Sequence, residues 1–201
     1  MGMNRFPLTS STSYSQVYRN GEKVYASLEL NQVAFPKTGM VVSQLPLGSA
    51  FTAANPCENG MWLVCDKSAA ALAAPAAATD KLIGIVYTSE KEYDNYHYGL
   101  QTFGRKVAGD YPRVGLLAEG DTVTTNCLQY NTNDFANDTA LDTALKAIGS
   151  TPLYVAICAG SAIPQIITST DIPASGIYGK IVKYYTMPNG EKGVKYQIVR
   201  I

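Results

Sequence analysis

Apolar and polar positions begin to alternate at residue 22. In the stretch 22–30, Val24, Ala26, Leu28 and Leu30 share one face, the period of two expected of a half-buried strand. The same reading marks strands at residues 39–43, 61–65, 81–88, 113–118, 122–128, 152–159 and 165–168. Turn-forming clusters separate them at residues 56–60, 119–121 and 159–161, rich in Gly, Pro, Asn and Asp. Residues 179–186 and 194–201 form the clearest pair. Val194, Tyr196 and Ile198 alternate with Lys195 and Gln197, and Asn189-Gly190 supplies the left-handed turn of a hairpin. One helix is expected, over about residues 138–148: Asn137 and Asp138 can cap it, Leu141, Leu145 and Ile148 recur on one side, and Gly149 stops it. The prediction is a mainly β chain, a small β-barrel or β-sandwich with one short helix and a C-terminal β-hairpin. Residues 1–20 have few aliphatics and read as an extended N-terminal arm; residues 21–201 read as a single β-rich domain.

One segment breaks the alternation. Eight Ala between Ser68 and Asp80 are interrupted by Leu72 and Pro75, and the tract leads through Lys81 into the apolar run Leu82-Ile83-Gly84-Ile85-Val86-Tyr87. Alanine favours helix, but Pro75 removes a donor and clashes with the preceding turn, at a cost of about 3 kcal/mol in a helix interior. The two remaining pieces are shorter than the ~12 residues an isolated helix needs. A compact, small-residue connection is expected there.

Composition narrows the function. The 201 residues carry 16 basic and 16 acidic side chains, a formal charge of zero, and only 16% are charged. That balance argues against nucleic acid, whose phosphates are met by excess Lys and Arg, and low charge density favours association. No run of 18 apolar residues predicts a membrane span, and residues 1–16 lack the apolar segment of a secretion signal. Cys57, Cys65, Cys127 and Cys158 form no CxxC pair and are expected to be buried free thiols in a reducing cytoplasm.

Candidate chemistry is sparse. His97 is the only histidine, sits in a polar aromatic stretch with no GxSxG elbow nearby, and is expected at a surface or interface. Glu90, Glu92 and Asp94 alternate, but Lys91 lies between them and the glycine of a calcium loop is missing, so a solvated loop is expected and no metal. Gly99, Gly104 and Gly109 lead into Asp110-Tyr111-Pro112 rather than a phosphate-cradling helix. The expectation is no enzyme, no catalytic residue and no cofactor. Fourteen tyrosines remain, with Tyr93, Tyr96 and Tyr98 crowded beside His97. They fit an interface, ordinary packing on strands, or a sugar platform. Beyond Ser175, five basic residues face the single acid Glu191, which suits either docking on an acidic surface or a solvated strand face guarded by Lys.

At residues 39–125 the pattern resembles a known family. Asn59-Gly60-Met61-Trp62-Leu63-Val64-Cys65-Asp66, the Ala tract, and Lys81-Leu82-Ile83-Gly84-Ile85-Val86-Tyr87 resemble the decoration, or auxiliary capsid, proteins of tailed bacteriophages. Val114-Gly115-Leu116-Leu117-Ala118-Glu119-Gly120-Asp121-Thr122-Val123 is similar to a strand pair of the same proteins. The resemblance implies a tulip-like β fold on the outer surface of the major capsid protein, stabilising the phage head without catalysis. It implies a virion location after synthesis in the host bacterial cytoplasm, the major capsid protein and other virion proteins as partners, and a homo-oligomer on the shell. Nucleic acid and membrane are not expected. Contacts are expected from the arm, through Tyr14 and Tyr18, and from the aromatic loop, through Tyr93, Tyr96, His97 and Tyr98. A head-fibre or tail component, or a carbohydrate-binding module using loop 93–98, is the alternative. The helix and the C-terminal hairpin lie outside the resemblance.

Overall fold

A computed structural model describes residues 2–6, 28, 41–87, 106–187 and 191–201. Among these the chain is mainly β, with one α-helix and two open sheets. In chain order the elements are β1 (Met3–Arg5), β2 (Val41–Val42), β3 (Trp62–Val64), β4 (Ile83–Val86), β5 (Val114–Leu116), β6 (Thr122–Thr125), β7 (Gln129–Asn131), α1 (Asp138–Lys146), β8 (Tyr154–Ala156), β9 (Gln165–Ile167), β10 (Tyr178–Thr186) and β11 (Lys192–Arg200). The larger sheet runs β1-β7-β9-β8-β10-β11-β6 and the smaller β2-β5-β4-β3. Neither closes on itself, so the packing is nearer the sandwich than the barrel of the sequence expectation.

The small sheet is apolar on both faces. Along β4, Ile83 and Ile85 point into the core shared with the large sheet, and Val86 joins a second cluster with Val42, Leu47, Phe51, Leu63, Leu72 and Val114. A strand covered on both sides reads as a continuous apolar run rather than an alternation, which explains Ile83-Gly84-Ile85-Val86. The shared core is built from the inner face of the large sheet, where Tyr130, Ile166, Val155, Ile181, Tyr196 and Ile198 meet Trp62, Ile83 and Ile85. Trp62 donates its indole N–H to the Tyr196 hydroxyl at 3.1 Å, tying one sheet to the other.

The helix forms where its cap predicts. Asn137 accepts from the Ala140 N–H through its side chain, Asp138 sits at the positive N-terminal end, and Leu141 and Leu145 enter the shared core. It ends at Lys146, short of the expected residue 148. The Ala tract is not helical. Leu72 bridges Leu47 and is fully buried, Ala73 bridges Val64, and the Pro75 carbonyl accepts from Gly160 N–H. The small residues thus let the connection pass closely over its own chain.

Two strands lie where the sequence predicts none. β1 pairs antiparallel with β7, and Phe6 is buried in the shared core. Residues 3–6 are therefore part of the sheet and core, and the expectation of an arm over 1–20 is corrected there. The rest of that arm, most of the strand expected at 22–30, and the turn at Asn189-Gly190 lie outside the described residues.

Candidate interaction surface

All six side chains expected at an interface, Tyr14, Tyr18, Tyr93, Tyr96, His97 and Tyr98, lie outside the described residues, as do Glu90, Glu92 and Asp94. Within the described ones, no group of three or more His, Cys, Asp or Glu side chains is placed to hold a metal ion. Burial governs the character of the thiols. All four are free; Cys57, Cys65 and Cys127 are buried, Cys158 partly so. Burial pushes Cys57 well up, and Cys65 and Cys127 to about 12, so these thiols stay protonated near neutrality. For Cys127 the effect of burial outweighs the nearby Arg5 guanidinium, which favours the thiolate. Nucleophilic chemistry needs a lowered value. In the folded protein Cys158 is expected to react first with a disulfide reagent, the other three appearing only on unfolding. Four equal rates would refute this burial pattern.

Two polar groupings stand out among the described residues. Arg5 reaches from β1 to Glu58 in a two-pronged pair, at 3.2 and 3.3 Å, clamping the first strand against the loop before β3. The carboxyls of Asp134 and Asp171 border a depression of about 210 Å³ that is also lined by Asn131, Gln165 and Pro173. Partial burial, reinforced by the Asp171 charge, pushes the Asp134 carboxyl above its ordinary value. Asp171 is already engaged, accepting from the hydroxyls of Thr168 and Thr170.

The C-terminal hairpin builds the most distinctive surface. Across β10 and β11 the inward pairs are Ile181 with Tyr196 and Tyr184 with Val194; the neighbouring pairs, Lys180 with Gln197 and Lys183 with Lys195, turn outward. Neither strand contains Asp or Glu. Of the five basic residues counted in the sequence, Arg200 and Lys192 bond to groups within the chain. Arg200 stacks over the Tyr178 ring at 4.7 Å and donates to the Gly176 and Pro173 carbonyls; Lys192 donates to the Thr186 hydroxyl at 2.9 Å. Lys180 and Lys183 are exposed on the outward face, with Lys183 held 4.7 Å from the centre of the Tyr185 ring.

Two register shifts shape this face. Gly179 pairs with Ile198 while Tyr178 pairs with Arg200, leaving Val199 as an extra residue on β11; Ile181 pairs with Tyr196 while Lys183 pairs with Lys195, leaving Val182 extra on β10. Bulges of this kind re-aim side chains. Both extra residues are valines, and they are 48% and 40% exposed for Val182 and Val199. The hairpin and its charge are legible in the sequence, but a bulge leaves no simple alternation to read. Set against known proteins, the chain matches no family model, no curated protein and no solved structure.

Proposed function

We propose that the protein is a virion structural protein that binds the outer surface of the major capsid protein of a tailed bacteriophage and stabilises the head, acting by binding alone. The observation that carries the reading is local. The stretch resembling phage decoration proteins, residues 39–125, contains all four strands of the small sheet, and most of the apolar cluster on that sheet's far side. Apart from Thr122-Val123, which open β6 of the large sheet, the strands of the quoted motif segments share one structural unit, with the Ala tract crossing it at Leu72 and Ala73. Zero net charge and a β fold with an exposed sheet face also suit repeated docking on a large assembly. Interfaces of roughly 800 Å² per partner suffice for specific docking, and a copy that bridges two shell subunits gains effective concentration at the second contact.

The test is co-sedimentation of the purified protein with capsids of its phage, alongside its mass in solution. Saturable binding at a fixed ratio to the major capsid protein is expected. A species that stays in the supernatant at every concentration would overturn the proposal and favour the glycan-binding alternative.

A further inference from the structure

We infer that the outward face of the β10–β11 hairpin, centred on Lys180, Val182, Lys183 and Val199, is the docking surface for a carboxylate-bearing protein surface. In the function proposed above, on which this inference rests, that surface belongs to the outer shell. Three observations converge on it. The two strands carry no acid, and Lys180 and Lys183 stand exposed on one face with Val182 between them, so a carboxylate set against that face would meet both ammonium groups. The two bulges each expose a valine, so the basic face is not uniformly polar. The apolar inner positions of the same strands are packed in the core, which holds the outward side chains on a rigid support.

The partner's class follows from that mixture. A phosphate backbone or a lipid headgroup layer would reward a run of cations and gain little from isolated valines at this spacing. A protein surface with acidic residues around a small apolar spot would use both, the apolar contact being desolvated and the charges setting orientation and encounter rate. Arg200 and Lys192, already bound within the chain, position the hairpin rather than meet the partner.

Amine-reactive labelling of the full chain, free and bound to shells, tests the assignment, with exposed Lys67 and Lys81 as internal references. Expected is a roughly fivefold or greater slowing at Lys180 and Lys183 with the references unchanged. The double variant Lys180→Glu, Lys183→Glu should bind shells about tenfold more weakly, and Val182→Ser should weaken binding while leaving its salt dependence intact. Both variants alter exposed side chains, and a thermal melt like that of the parent confirms that they fold. If the parent binds shells but neither lysine is protected, another face docks and the capsid role survives without this surface. If the parent ignores shells, the functional proposal and this docking partner fall together. Protection of the same lysines by a DNA duplex or by anionic vesicles, without protection by shells, would overturn the assignment in favour of a polyanion.

Discussion

Replacing Trp62 with alanine is expected to lower the unfolding free energy by about 3–5 kcal/mol, the range for truncating a core aromatic. The side chain is fully buried where the small sheet meets the large one, edge-on to Tyr196 with ring centres 6.1 Å apart. Its removal leaves a cavity and strips the buried Tyr196 hydroxyl of its indole donor, which adds about 1–3 kcal/mol if no water takes the donor's place. Against a typical total of about 5–15 kcal/mol, little margin remains. Trp62 is also the only tryptophan, so the variant is followed in urea by circular dichroism rather than by fluorescence. Trp62→Phe keeps most of the volume but not the donor, and should lose less. A loss below about 1 kcal/mol for the alanine variant would mean that the two sheets are not joined through this residue.

The second large effect is expected at Gly176. Its φ of +95° belongs to the left-handed region, and a Cβ built there would stand 1.9 Å from the Ala78 carbonyl oxygen. Gly176→Ala therefore combines backbone strain with a clash against backbone that cannot swing away as a side chain would. Relief requires the Ala tract and the loop before β10 to part, which also disturbs the Arg200 bonds to the Gly176 and Pro173 carbonyls. A loss of about 2–3 kcal/mol is expected, or about 4–12 °C in melting temperature for a chain of this size. Gly120 separates the two causes. It has the same φ of +95° but open space where its Cβ would be, so Gly120→Ala should cost only about 1 kcal/mol. Equal losses at the two sites would show that the contact with Ala78 is immaterial.

How far the sequence foretold these features depends on where each signal resides. The strands β3, β4 and β5 and the hairpin are carried by their own apolar residues, and the helix by its Asn137 cap and the Leu141/Leu145 spacing, so local reading finds them. β1 is Met3-Asn4-Arg5 and β7 is Gln129-Tyr130-Asn131. Neither has more than one residue that reads as core, and both are strands because distant partners supply their hydrogen bonds, β9 lying parallel to β7. The expected strand at 122–128 stops at Thr125 because the Thr125 hydroxyl accepts from Cys127 N–H and turns the chain. At the candidate surface, charge was readable in the lysine count, whereas the outward aim of Val182 and Val199 arises from pairing register. The division of labour among the basic residues, with Arg200 and Lys192 spent internally, likewise appears only once the loop at 173–176 is in place.

The order of strands in the two sheets also sets a timetable for synthesis. β2 to β5 pair only among themselves and are complete once Leu116 has been made. The large sheet waits, because β6 has β11 as its neighbour and Thr125 pairs with Val194. At about 5–20 residues per second on the ribosome, the stretch from Leu116 to Arg200 takes on the order of 4–17 s. During this interval the nascent chain holds a small sheet whose Trp62, Ile83 and Ile85 face lacks the cover that Ile181, Val194, Tyr196 and Ile198 of the hairpin supply. Bare apolar surface of that kind is what chaperones bind and what neighbouring nascent chains stick to. The interval before the last hairpin docks is therefore when this protein is most exposed to misassembly.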